Sequence, residues 1–251
     1  MSEPRSHQGT AYPTLKLLAL GDCNTRGTAD GESLVGHLAQ RLQAAGFPCE
    51  AVNWGHTMTT TREGLARIRR DRPYADLAMV NYGLVDSWIT TVPQFYVPYF
   101  PETWSRSYCR KLLKFAKRRL RSPWIERWVP KGAVVSLEEY GRNLNAVITG
   151  LRCVNPAIVC VLWSTPPVQG NAARNVHIAR YNARMASIAS AAGCVFIDSA
   201  AVLRSQSAAN AYVDAVHLSG ASFRLLGSAI YAELLPHRTG AGTSAEDHVA
   251  A

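Results

Sequence analysis

The sequence predicts a single three-layer α/β domain built around a parallel five-stranded sheet. Short apolar runs alternate along the chain with segments of helical periodicity, which is typical of β-α-β units. The first run, at 15–20, is almost continuously apolar, as in a strand that is buried on both faces of a sheet. The length of 251 residues and the hydrophobic fraction of 47% suit one such domain with an insertion.

The N-terminal half contains three predicted strands, which are the apolar runs at 15–20, 48–53 and 77–82. Between the first two, leucines four residues apart predict a helix over 34–45, and Gly46 ends it. A second helix is predicted over 61–70.

The C-terminal half supplies two further strands, at 157–163 and 194–197. Apolar residues at helical spacing predict helices over 137–151, 178–192 and 223–235. The domain is expected to span 14–236, and the polar or Gly- and Ala-rich ends at 1–13 and 237–251 are expected to be disordered.

The alternation breaks at about 92–132, after the third strand, where we expect a helical insertion. The segment from 101 to 131 holds ten Lys and Arg against two Glu, whereas the rest of the chain has 17 basic and 16 acidic residues. Nine aromatic residues also lie within 93–131. The period over 106–121 predicts a basic amphipathic helix, whose basic residues include Arg106, Arg110, Lys114, Lys117 and Arg118.

Several functions suit this insertion. It could cover the active site as a lid, with Trp104 and other aromatic residues lining an acyl pocket. It could bind an acidic acyl carrier protein or an anionic membrane surface through its basic residues. Nucleic acid is the unfavoured partner because no recognised nucleic-acid motif is present. The structural alternative is a packed helix with a solvated basic face.

Polar residues follow the first three strands, and the carboxyl ends of parallel strands meet at one edge of a sheet. Cys23 comes directly after the first strand, at the start of a loop that leads into a helix. Backbone N–H groups and a helix N-terminus at this position would favour its thiolate form. The structural alternative is a buried, inert cysteine, one of six in the chain.

Asp214 and His217, near the C-terminus, have a spacing that allows a hydrogen bond. A carboxylate in this position would fix the imidazole tautomer and leave the other ring nitrogen as a general base. Gly55 and Gly83, each following a strand, could direct N–H groups at a developing oxyanion. The structural alternatives are a helix cap beside an exposed histidine, and ordinary turn glycines.

Together these residues resemble the SGNH/GDSL hydrolase superfamily. The matching stretches are Gly21-Asp22-Cys23, the lone Gly55, Gly83-Leu84-Val85-Asp86 and Asp214-Ala215-Val216-His217. The resemblance covers about residues 15–235 outside the insertion, and it implies the SGNH hydrolase fold with flavodoxin-like winding.

The resemblance implies a triad in which Cys23 is the nucleophile, His217 the base and Asp214 its orienting carboxylate. The N–H groups of Cys23 and Gly55 would hold the oxyanion. Two departures matter: Cys23 replaces the family serine, and Val85 replaces the asparagine whose amide helps to bind the oxyanion. Asn81 is a candidate replacement donor. The residues expected to contact the substrate are Asp22, Asn24, His56, Gly83, Asp86 and Trp104.

A cysteine nucleophile favours thioester cleavage or acyl transfer over plain ester hydrolysis. We therefore expect an acyl-transfer enzyme, a hydrolase or an acyltransferase, acting in a biosynthetic pathway. The alternatives are a catalytically degenerate member that binds an acyl or glycan ligand, and an adaptor for a carrier protein or membrane. No metal or cofactor is implied by the motifs. The N-terminus lacks an apolar signal core, and the cysteines show no paired spacing, so a cytoplasmic location is expected.

Overall fold

Five parallel strands form the central sheet of the computed structural model, which describes residues 13–93, 95–120 and 128–239. They are β1 (Leu15–Gly21), β2 (Cys49–Gly55), β3 (Leu77–Asn81), β6 (Val159–Trp163) and β7 (Val195–Ile197). Their order across the sheet is β2-β1-β3-β6-β7. The direction of winding therefore reverses between β1 and β3, which confirms the predicted three-layer, flavodoxin-like fold.

Helices cover both faces of the sheet. One face packs against α2 (Leu34–Ala44), α7 (Ser199–Leu203) and α9 (Gly220–Thr239), and the other against α3 (Thr61–Asp71), α5 (Leu137–Arg152) and α6 (Ala172–Ala191). The remaining short helices are α1 (Cys23–Arg26) and α8 (Ala208–Ala211).

Strand β1 shows why a strand that is buried on both faces of a sheet is continuously apolar. Leu17 and Ala19 belong to one buried cluster, and Leu18 and Leu20 belong to the cluster on the opposite face. Successive side chains of a strand point to opposite faces, so both sets must be apolar when helices cover both sides.

The two ends of the insertion are joined by a pair of short strands that the sequence did not indicate. Strands β4 (Ile89–Thr91) and β5 (Lys131–Ala133) pair antiparallel, and the basic helix α4 (Trp104–Leu120) lies between them in the chain. These two strands lie at the ends of the stretch at 92–132, where the alternation of apolar runs and helical periods breaks, so no strand pattern marked them.

Two helix boundaries differ from the prediction. Helix α6 begins at Ala172 rather than 178, because Asn171 caps it by accepting a hydrogen bond from Arg174 N at 3.0 Å. Helix α9 runs past the expected domain end at 236 to Thr239. Of the tails predicted at 1–13 and 237–251, residues 1–12 and 240–251 lie outside the described residues. None of the described helices combines the length and apolarity that a membrane span requires.

Candidate active site

A tight turn from β1 into α1 places Cys23 at the carboxyl edge of the sheet. A Cβ atom at Gly21 would lie 2.2 Å from Asn81 O, so the turn requires glycine. Asp22 caps α1, since its Oδ1 accepts a hydrogen bond from Asn24 N at 3.0 Å. Cys23 is the first residue of α1, and its N–H is among those that a helix leaves without an internal partner.

Asp214 and His217 form a hydrogen-bonded pair in the loop before α9. Nδ1 of His217 lies 2.6 Å from Oδ2 of Asp214, and Oδ1 accepts the N–H groups of Val216 and His217 at 2.7 and 2.8 Å. Partial burial acts to raise the pKa of Asp214, but these hydrogen bonds outweigh it and lower that pKa to about 2. The carboxylate is therefore ionised at neutral pH and orients the imidazole through Nδ1.

Asn24 ties the histidine loop to α1. Its Oδ1 accepts a hydrogen bond from Leu218 N at 3.1 Å, and its Nδ2 donates to Val216 O at 3.4 Å. The two contacts lie on either side of His217 in the chain. Asn24 is buried, and its two contacts position the histidine loop, whereas its expected contact with the substrate stays a prediction.

A cavity of about 580 Å³ brings the distant parts of the predicted triad together. Residues from the α1 region, including Cys23, form one part of its lining, and Asp214 and His217 belong to another part. Thr57, in the loop after β2, also lines it.

The electrostatic environment of Cys23 differs from the expectation. Its side chain is 8% exposed and packs with Leu84, Val168 and Ile178. Burial, followed by the negative charge of Asp22, raises the pKa of the Cys23 thiol well above its ordinary value. Burial in these apolar surroundings therefore opposes the expected thiolate form, whereas the nearby N–H groups favour it.

Arg174 is a cation near Cys23 that the sequence did not point to. Its charge acts to lower the pKa of the Cys23 thiol, against the larger effect of burial. Its Nη2 donates to Leu84 O at 3.3 Å, and its guanidinium lies 4.5 Å from the centre of the Trp88 ring. Arg174 lies in the first turn of α6, ahead of position 178, where the sequence predicted that this helix begins.

The predicted oxyanion donors occupy different environments. Gly55 packs so closely on α1 that a Cβ atom there would lie 2.3 Å from Arg26 N. Its own N–H donates to Asn53 Oδ1 at 2.8 Å. Asn81 is fully buried, and its Nδ2 donates to Trp163 O at 2.7 Å. The expectation that Asn81 replaces the family asparagine is not met, because its amide binds the neighbouring strand β6.

Two of the predicted substrate contacts are buried carboxyl groups. Asp22 caps α1, and Asp86 accepts hydrogen bonds at Oδ1 from Thr61 N and Oγ1, at 3.0 and 2.6 Å. Burial raises the pKa of each to about 7, with the hydrogen bonds acting in the opposite direction. Both groups support the turns around the site, and neither is among the described residues that line the cavity.

The other three predicted contacts also lie outside the lining of this cavity. His56 faces the Phe100 ring, with 4.9 Å between ring centres. Gly83 has φ of 136°, which only glycine adopts readily, so it serves the turn after β3. Trp104 is 84% exposed and stacks on Tyr108. None of the six expected substrate contacts is among the described residues that line the cavity, and their contact with a substrate stays a prediction.

No described residue of the insertion lines the Cys23 cavity. Helix α4 instead borders a second cavity, and the described residues that line the two have none in common. The structure therefore does not place α4 as the predicted lid. Among residues 13–93, 95–120 and 128–239, no three His, Cys, Asp or Glu side chains are grouped as metal ligands would be.

Comparisons with known proteins agree with this geometry. The model of the GDSL-like lipase/acylhydrolase family matches residues 19–225. The fold is similar to that of Axe2, an acetylxylan esterase from Geobacillus stearothermophilus, at a TM-score of 0.61 and 21% identity, over 89% of this chain and 95% of that one. It is also similar to a lipase/acylhydrolase from Enterococcus faecalis, at 0.58 and 16%, over 88% and 95%.

At such identities the likeness to solved structures establishes the fold alone. No curated protein matches the sequence. The family match, in contrast, spans most of the chain and includes both Cys23 and the Asp214–His217 pair. The chain therefore belongs to the GDSL-like lipase/acylhydrolase family, a family of ester-hydrolysing enzymes.

Proposed function

We propose that the chain is an acyl-transfer enzyme, a hydrolase or acyltransferase of esters or thioesters, that works through an acyl group on Cys23. The observation that carries the proposal is the shared cavity, which Cys23 lines together with the hydrogen-bonded pair Asp214 and His217. A thiol, an imidazole and an orienting carboxylate are the parts that nucleophilic acyl transfer requires.

The burial of Cys23 determines how the reaction begins. Because its pKa is raised, the side chain meets the substrate as a thiol, and His217 must act as a general base. Nε2 takes the proton while Sγ attacks the carbonyl carbon, and the carbonyl electron pair moves to the oxygen. When this intermediate collapses, the imidazolium returns the proton to the leaving alcohol or thiol. The same steps then transfer the acyl group from Sγ to water, an alcohol or an amine.

The oxyanion would be held by the N–H of Cys23 and, after release from Asn53 Oδ1, by the N–H of Gly55. Val85 has no side-chain amide, and losing one such donor typically costs about 10²–10³ in rate. The positive charge of Arg174 favours negative charge on the Cys23 sulfur and so assists loss of the thiol proton.

The cysteine supports thioesters and acyl acceptors other than water as substrates, since thiol–thioester exchange is nearly balanced in energy. The family and the acetylxylan esterase fold support an ester substrate, and an acetylated carbohydrate is one candidate. A biosynthetic role and a cytoplasmic location stay predictions from the sequence, as do an acidic carrier protein or membrane partner.

Trapping the acyl group tests the proposal. The protein is mixed with p-nitrophenyl acetate or an acetyl thioester, and the mass of the intact chain is followed with time. We expect one acetyl adduct on Cys23, strongly slowed in His217→Ala and absent in Cys23→Ala. Cys49→Ser, which alters another buried cysteine, serves as the matched control and should behave like the unmodified protein.

The second candidate is a non-catalytic member that binds an acyl or glycan ligand. Two observations favour it, the raised pKa of Cys23 and the absence of the family amide at Val85. Under this alternative no adduct forms and Cys23→Ala leaves ligand binding intact. An adduct that persists in Cys23→Ala would also refute the proposed role of Cys23.

A further inference from the structure

A second cavity, of about 690 Å³, lies beneath helix α4, and we call it the α4 cavity. Its walls are mostly apolar and come from separate parts of the chain, including Trp88, Tyr96, Leu113 and Val134. This volume falls in the range of small-molecule sites, which typically combine apolar walls with a few polar groups.

The polar groups of the α4 cavity are predominantly cations. None of the described lining residues is acidic. Four basic side chains of α4 belong to the lining, namely Arg110, Lys114, Lys117 and Arg118. Their spacing of three and four residues puts them on one helix face. Like charges at such spacing repel one another, so a bound anion would relieve an unfavourable arrangement.

Two of these cations are held in place by the protein. Arg110 donates to Pro98 O at 2.8 Å, forms an ion pair with Glu102 at 2.9 Å and lies over the Tyr99 ring. Lys117 donates to Thr90 Oγ1 at 3.1 Å. Lys114 and Arg118 are exposed at the cavity, where a ligand can reach them.

The apolar side chains at the cavity are exposed to an unusual degree. Trp88, Ile89 and Phe95 are 42%, 38% and 64% exposed, and all three line the cavity. Neighbouring exposed apolar groups of this size mark binding sites more often than single ones do. A hydrocarbon chain would cover them while a charged end remained at the cations.

From this arrangement we infer that the α4 cavity binds a free single-chain anionic amphiphile, with its phosphate or carboxylate at Lys114 and Arg118 and its hydrocarbon chain along Trp88 and Leu113. The occupant is a monomeric small molecule and not a bilayer, because the apolar surface lines a cavity. The inference goes beyond the proposed acyl transfer and does not depend on Cys23.

The α4 cavity nevertheless lies beside the proposed active site. Trp88 lines the cavity and carries Arg174, the cation near Cys23, over its ring. Met58 lines the α4 cavity, and the preceding residue, Thr57, lines the Cys23 cavity. An occupant of the α4 cavity would therefore contact side chains one step removed from the nucleophile.

Titration calorimetry of the full chain with decyl phosphate, below its micelle concentration, tests the inference. We expect one saturable site per chain. Lys114→Glu and Arg118→Glu should each weaken the affinity by about tenfold or more, because each replaces an attraction by a repulsion. Lys111→Glu is the matched control, as it makes the same charge change on an exposed residue of α4 outside the cavity lining. Cys23→Ala should bind as tightly as the unmodified protein.

Four results would overturn the inference. Equal binding of decyl maltoside would show that charge is not recognised, and equal binding of inorganic phosphate would show that the hydrocarbon chain is not. An equal loss in Lys111→Glu would indicate a diffuse field around α4. Binding to anionic vesicles without binding of the monomer would indicate a membrane surface. If a charge-reversal variant fails to fold, Lys114→Ala supplies the same comparison with a smaller change.

Discussion

Replacing Asn24 by alanine should separate the position of His217 from the stability of the fold. The change leaves the N–H of Leu218 buried without its acceptor, which typically costs about 1–3 kcal/mol. The longer contact to Val216 O adds a smaller amount. A total loss of about 2–3 kcal/mol corresponds to a melting temperature lower by about 5–10 °C in a domain of this size.

The larger effect is expected on catalysis, because both lost contacts flank His217. A displacement of about 1 Å in a catalytic group can cost about 10² in rate. Hydrolysis of p-nitrophenyl acetate, measured well below the melting temperature, should fall by that order while most of the protein remains folded. Thermal unfolding followed by circular dichroism gives the stability of the same sample.

Asn155→Ala is the matched control for this experiment. Asn155 also makes two hydrogen bonds through its side chain, to Ala75 O at 2.9 Å and from Ala157 N at 3.1 Å, but it precedes β6 at the opposite edge of the sheet. It should lower the melting temperature and leave the rate of the folded protein unchanged. If both variants lose activity equally at the same folded fraction, Asn24 does not position the histidine loop.

Two further predictions concern the turns around the site. Gly55→Ala forces a Cβ atom against Arg26 N, so it should lower both the reaction rate and the free energy of unfolding, the latter by about 1–3 kcal/mol. Gly227→Ala is the control and should be tolerated, because a Cβ atom there makes only ordinary contacts in α9. Equal urea unfolding midpoints for the two variants would contradict this prediction. Asp86 has a pKa of about 7 in the folded chain against 3.8 ordinarily, so the native state holds the proton more tightly and loses stability as the pH rises from about 4 to 7. This difference corresponds to at most about 4 kcal/mol, and Asp86→Asn should remove that part of the pH dependence; identical urea midpoint profiles between pH 5 and 8 for both proteins would refute it.

The sequence predicted those features that local patterns encode. A continuous apolar run marked β1, because burial on both faces leaves no room for polar side chains, whereas the edge strand β2 is mostly exposed and contains Glu50 and Asn53. Asp214 and His217 were recognisable because their interaction spans three residues. Asn24 was noticed for its place beside Cys23, but its role depends on Leu218, which is 194 residues away in the chain. No local pattern records such a contact.

The environment of each candidate residue was the least predictable part. Whether Cys23 is a thiolate depends on Leu84, Val168 and Ile178, which reach it from other elements. Arg174 was overlooked because the helix was predicted to begin at 178, whereas the cap at Asn171 starts α6 at Ala172. Motif spacing thus located Cys23, Asp214 and His217, which line one cavity, but it did not indicate the burial of Cys23 or the hydrogen bonds of Asn24.

The contact between Asn24 and the histidine loop also bears on the synthesis of the chain. With roughly 5–20 residues added per second on a ribosome, the 194 residues between Asn24 and Leu218 take about 10–40 s to make. During that time α1 exists without the loop that carries His217, and Cys23 has no base beside it. Under the proposed mechanism, a nascent chain would be unable to acylate Cys23 until His217 has been made, and a product truncated before that residue would be inert.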